Sequence, residues 1–192
     1  PRNDPEGITE SYAGGVAGYL QGARLEQCRA YIDGQRDENL SDRYKACGVI
    51  AQSSYAGGLV GLGADLKAKE SSASIQVTAA GAAGGFAGKL TGKSVAELCY
   101  SGGHTEKGAY SRELPNVSGR QAAGGFAGVI EGNAFVTKSF STCSVWGPAC
   151  GAFLGRADLA SPSTQITLTY GLGAAFAQGG AEENQTGCGQ TE

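Results

Sequence analysis

The stretch GAAGGFAGKLTG at residues 81–92 returns almost letter for letter as QAAGGFAGVIEG at residues 121–132. A catalytic loop is needed once, whereas a phrase that recurs marks a building unit. The same phrase stands as SYAGGVAGYLQG at 11–22 and SYAGGLVGLG at 54–63, degrades to ACGAFLGRA at 149–157, and frays to GLGAAFAQGG at 171–180. Aligned on the second glycine of the pair, the copies fall at Gly15, Gly58, Gly85, Gly125 and Gly151, in steps of 43, 27, 40 and 26 residues. Two of these steps define a base period of about 26 residues; the other two add an insertion of roughly 14–16 residues.

A second signature follows the phrase. Gly22, Gly92 and Gly132 each sit eight residues past the first glycine of the pair, and an apolar residue follows three positions on: Leu25, Val95 and Phe135, with Leu66 in the second copy at altered spacing. Next comes Cys28, Cys99 or Ser139, and then a short apolar run before the next glycine pair: GVIAQ (48–52), SIQVT (74–78), NVSG (116–119) and CSVWG (143–147). Runs this short, punctuated by glycine, serine and asparagine, read as strands. No segment carries helical apolar spacing over three turns, and 33 glycines disfavour helices. The pattern predicts an all-β fold, a parallel β-helix (β-solenoid) of about five or six coils of roughly 26 residues with two inserted loops, stacked at about 4.8 Å. Val16, Leu59, Phe86, Phe126 and Phe153 then form one internal column, and the glycine pair marks a tight corner where a positive φ or a close coil-to-coil approach excludes a Cβ.

The phrase A-G-G-[VLF]-[AV]-G, followed by glycine, an aliphatic residue and Cys or Ser, resembles the GLUG repeat of bacterial surface proteins. The best fits are Ala83–Gly92 with Val95, Cys99 and Tyr100, and Ala123–Gly132 with Phe135, Ser139 and Phe140. In that family the repeats occur in large adhesin-like proteins and beside zinc metallopeptidases that cut immunoglobulin A. The resemblance covers roughly residues 11–180 and implies a β-helical stalk or presentation segment.

Composition bounds the rest. Across 192 residues, a hydrophobic content of 41% and a net charge of −3 suit a narrow, elongated core in one domain, 1–192. Mild acidity argues against nucleic acid or an anionic membrane as partner, and no run of 18 apolar residues marks a membrane span. The unprotected sheet ends of such an array lead us to expect a piece of a larger protein. The six cysteines lie at 28, 47, 99, 143, 150 and 188 without a C-x-x-C, which favours disulfides over buried free thiols, with a metal site last, and, with disulfides, an extracellular, cell-surface or secreted location. Cys28 with Cys47 closes the first insertion, Cys143 with Cys150 brackets a corner, and Cys99 with Cys188 remain by elimination.

Catalytic motifs are weak. GKLTGKS at 88–94 resembles a phosphate-binding loop, but only three residues separate Gly88 from the Gly92-Lys93 pair where four are required. His104 is the single histidine and lies in a polar segment with no evident orienting acid. Asp33, Asp37, Glu38, Asn39 and Asp42 cluster in one insertion without calcium-loop spacing. Asn116-Val-Ser and Asn184-Gln-Thr match the glycosylation acceptor, a triplet common by chance. We therefore expect no enzyme, no cofactor and no metal. The insertions, roughly 33–46 and 101–116, both follow the Cys-bearing strand and concentrate charge and aromatics. Arg36, Arg43 and Tyr44 in one, with His104, Lys107, Tyr110 and Arg112 in the other, are the candidate binding residues, of the types that dominate interface energies. The expected function is adhesion, or a stalk presenting these loops to a host or cell-surface protein or glycan. The rival readings are an accessory domain of an immunoglobulin-cleaving surface metallopeptidase and a β-helical carbohydrate-active enzyme.

Overall fold

The computed structural model describes residues 10–31, 48–102, 116–157 and 164–177. They form a parallel β-solenoid of five coils. The first coil contains β1 (Tyr12–Gly14), β2 (Ala17–Gln21), β3 (Arg24–Glu26), β4 (Arg29–Tyr31) and β5 (Gly48–Ala51). The same five strands recur over 55–79, 82–119, 122–147 and 150–177. Equivalent strands stack into five sheets of five strands, here called A to E in the order β1 to β5, and the pairing is parallel throughout.

The core has two lobes. The larger lies under sheets B, C and D and holds Leu59, Phe86 and Phe126 with Val60, Leu90, Ile130 and Val136. The smaller lies under sheets A and E around Val49, Val77, Val117 and Val145. The expected internal column is present: Phe86 and Phe126 stack at 4.7 Å, Phe126 and Phe153 at 4.8 Å, with ring planes within 4°. Both spacings equal the inter-strand repeat, so the backbone ladder sets the stacking distance. Val16 caps this column in the first coil and is 46% exposed.

The glycine pair answers to two different constraints, neither of them a positive φ. A Cβ on Gly124 would overlap the Ala127 carbonyl oxygen of its own coil, and Gly14, Gly57, Gly84 and Gly151 face the same conflict. A Cβ on Gly125 would instead overlap the Ala152 carbonyl oxygen of the next coil. The first glycine is therefore required in every coil, the second only where another coil follows. This corrects the fifth copy: Gly151 pairs with Gly124, the first glycine, and Ala152 takes the second position. GLGAAFA is likewise not a sixth corner, because Tyr170–Gly171 joins sheet D and Ala175–Ala177 joins sheet E of the fifth coil.

The column containing Leu25 also differs from expectation. In register, Leu25, Ala68, Ala96, Val136 and Ile166 face inward, while Arg24, Lys67, Val95, Phe135 and Gln165 form the next column. The third and fourth coils carry one more residue at the preceding corner, which slips the apparent spacing by one. Leu66 belongs to that corner. Its side chain occupies the space that Gly63 leaves open, since a Cβ on Gly63 would lie 2.8 Å from the Leu66 Cδ2 atom. Gly63 stands in a column with Leu20, Leu90 and Ile130, so the second coil has exchanged a large and a small residue within one layer.

That exchange is testable by denaturant unfolding. Leu66→Ala should cost about 2–5 kcal/mol, and Gly63→Leu should overpack the same space and cost about 1–3 kcal/mol. The double variant, which restores the pattern of the other coils, should be more stable than the sum of the two losses implies. Strict additivity would mean that the two positions do not share a space.

Candidate functional site

All seven candidate binding residues lie outside the described residues: Arg36, Arg43 and Tyr44, and His104, Lys107, Tyr110 and Arg112. The same holds for the acidic cluster Asp33 to Asp42 and for Asn184. What is described is where their segments leave and rejoin the coil. The first leaves after Tyr31 of sheet D and returns at Gly48 of sheet E; the second leaves after the strand Tyr100–Ser101 of sheet D and returns at Asn116, before sheet E. Both therefore span one corner, on coils one and three. The second coil makes the same passage with the single residue Ile75 between strands Ser72–Ser74 and Gln76–Ala79.

The return of the second segment is fixed by a buried polar clamp. Asn116 Oδ1 accepts hydrogen bonds from both the Ser144 backbone N–H and the Ser144 hydroxyl, each at 2.9 Å, and the Asn116 N–H donates to Ser144 Oγ at 3.1 Å. Asn116 is buried. Its carboxamide serves the fold, so the glycosylation-like triplet there is occupied by structure. Gly92 of the phosphate-loop look-alike sits in a left-handed corner column with Gly22, Asp65 and Gly132, and the Lys93 N–H that follows donates to Asp65 Oδ1 at 2.8 Å. That segment is a coil corner.

The outer surface of sheets C and D, beside the insertion corner, divides in two. On coils one and two it is charged apart from Tyr31, which is 69% exposed: Arg24, Glu26, Arg29, Lys67, Lys69 and Glu70 stand there, with an Arg24–Glu26 ion pair at 3.0 Å and a Gln27–Glu70 hydrogen bond at 3.1 Å. On coils three to five the equivalent outer positions are largely apolar. Leu98, Tyr100, Phe140, Leu168, Tyr170 and Leu172 are all exposed there. The rings of Tyr100 and Phe140 stack at 5.3 Å with planes 6° apart. Sequence reading missed this strip because its members are some 30–40 residues apart and meet only through the strand register.

A second outer feature spans sheets A and B. Tyr12 stacks on Tyr55 at 5.9 Å, the Lys89 ammonium lies 5.2 Å from the Tyr55 ring centroid, and Lys89 Nζ meets a Glu131 carboxylate oxygen at 2.7 Å. Burial pulls the Lys89 ammonium down, but Glu131 and Tyr55 more than compensate, and its pKa is raised. Tyr12 donates to Glu10, which, with some burial, pushes its phenol up to about 12. These groups satisfy one another and leave no reactive member.

Cys28, Cys99, Cys143 and Cys150 are free thiols, which overturns the expected disulfides. Each fills a place in a column. Cys150 stands where the other coils have Ala13, Ala56, Ala83 and Ala123. Cys28 and Cys99 share a column with Ser71 and Ser139, and all four donate to the carbonyl two residues back: Cys99 Sγ to Glu97 at 3.3 Å, Ser139 Oγ to Thr137 at 2.9 Å. Cys143 is packed in the smaller lobe. Cys47 and Cys188 lie outside the described residues. Among the described residues no three His, Cys, Asp or Glu side chains converge as metal ligands, and no helix is long and apolar enough to cross a membrane. Comparison with family models, curated proteins and solved structures returns no match to this chain.

The thiol column generates a pH prediction. Burial, outweighing hydrogen bonds that favour the thiolate, raises Cys99 from 9.0 to about 11. The unfolded thiol ionises first, so this contribution to stability is intact below pH 9 and is lost as pH rises toward 11. Cys99→Ser adopts the residue of coils two and four and should change stability at pH 7 by less than about 1 kcal/mol. It should also lose less stability than the parent between pH 9 and 11 in urea titrations. Equal pH slopes would show that Cys99 is not the titrating group.

Proposed function

We propose that this chain is a non-enzymatic β-solenoid segment of a secreted or cell-surface bacterial protein, acting in adhesion or as a stalk that presents two binding loops. One observation carries the reading. Both long segments interrupt the coil at the same corner, on coils one and three, while the second coil crosses that corner with one residue. With one coil between them, their bases stand about 10 Å apart along the axis, within reach of a single ligand. The segments also carry arginines and tyrosines, the types that interfaces favour, whereas the glycine-pair corners offer only glycine and small or buried side chains. The partner class is a host or cell-surface protein or a glycan. The resemblance to GLUG repeats supports the bacterial-surface setting.

The test is an exchange. Replacing both segments with the one-residue connection of the second coil should leave the β-type circular dichroism unchanged. The parent chain, applied to printed arrays of host glycans and extracellular-matrix proteins, should retain at least one ligand, and the exchanged chain should lose it. A ligand retained by the exchanged chain would refute a role for the segments.

A further inference from the structure

We propose that two copies of this chain associate side by side through the apolar half of the outer C and D surface. The repeat supplies its own control. At identical backbone positions, coils one and two carry Gln27, Arg29, Glu70 and Ser72, and coils three to five carry Leu98, Tyr100, Phe140, Leu168 and Tyr170. Lys138 is the polar exception among the equivalents, and in the column of Leu172 coil one carries the exposed Tyr31 and coil two Ser74. Since the same coil forms with polar residues at these places, folding does not require the apolar ones.

Exposure strengthens the point. Leu98 and Leu168 occupy a left-handed corner that all five coils share, with φ of 54° and 50°, and the other coils place Gln27, Glu70 and Lys138 there. The two leucines are 44% and 63% exposed. An apolar side chain is thus held in water where the other coils carry a polar one. A partner surface that covers these leucines removes that penalty.

Tyr100 and Phe140 cover one face of each other. The area suits a second copy. Leu98, Tyr100, Phe140, Leu168, Tyr170 and Leu172 are 36–63% exposed. At roughly 100 Å² each they offer about 600 Å² per copy, so a pair buries about 1,200 Å², where specific interfaces begin. Lys138 keeps its own counter-ion, Glu97, at 3.2 Å.

Sedimentation equilibrium of the full chain over micromolar concentrations should give a mass rising toward twice that of the monomer. The variant Leu168→Gln with Tyr170→Arg installs the residues that the first coil carries at these positions. It should weaken the dimer at least tenfold with β-type circular dichroism unchanged. Hydrogen exchange on the parent chain gives a readout independent of any variant: protection around 98–100, 138–140 and 168–172 should rise with concentration. A parent chain that stays monomeric at every concentration overturns the proposal, whether the strip then takes another protein or a glycan. So does a dimer that the variant leaves intact, or one whose protection falls elsewhere.

Discussion

The described coils depend throughout on the hydrogen-bonded stacking of parallel strands in strict register. Each strand passes its N–H and C=O groups to the same strand of the next coil, so each residue meets its own equivalent about 4.8 Å away. A position therefore has one job five times over. The stacked phenylalanines, the valines of sheet E and the serine–cysteine column all follow from this. Departures are admitted where the constraint relaxes. Ala152 is allowed because no described coil lies beyond it, and Gly63 with Leu66 is allowed because volume is exchanged inside a single layer.

The same stacking explains why long segments are tolerated at one corner. Joining two held ends through about 16 residues in place of a single one costs on the order of 2–3 kcal/mol in loop-closure entropy. Here both ends are held by ladders: strand Tyr100–Ser101 pairs with neighbours on either side, and strand Val117–Gly119 does the same. The Asn116–Ser144 clamp adds buried hydrogen bonds at the point of return. The coil is thus a rigid frame in which one corner has been released for variation.

What the sequence disclosed was what repeats. The glycine phrase, the aromatic column and the interrupted corner could be read directly, because each is a local pattern recurring at a fixed step. What escaped depended on register. Leu25 and Val95 share a spacing from the preceding glycine yet fall in different columns, because one extra corner residue is invisible without the ladder. Gly151 was paired with the wrong glycine for the same reason. The apolar strip was harder still, since Leu98, Phe140 and Tyr170 gain meaning only beside the polar residues at the same places in earlier coils. The disulfides failed on a different ground. Cysteine count and parity are arguments about redox compartment, and they ignore that a thiol also serves as a small core residue or a carbonyl donor.

Free thiols do not by themselves decide the compartment. Cys99 and Cys143 are 1% exposed, and burial raises both to about 11, although hydrogen bonds oppose the shift. At neutral pH both are protonated, and the thiol is a poor nucleophile and a poor substrate for oxidation compared with the thiolate. Exchange with an outside disulfide would require opening the coil, and opening one coil removes the ladder from two neighbours. A buried thiol in a stacked solenoid is thus protected by the same cooperativity that orders the core, and it survives in oxidising surroundings without being bridged. The surface location proposed for this chain consequently rests on the repeat resemblance, and the two buried thiols do not contradict it.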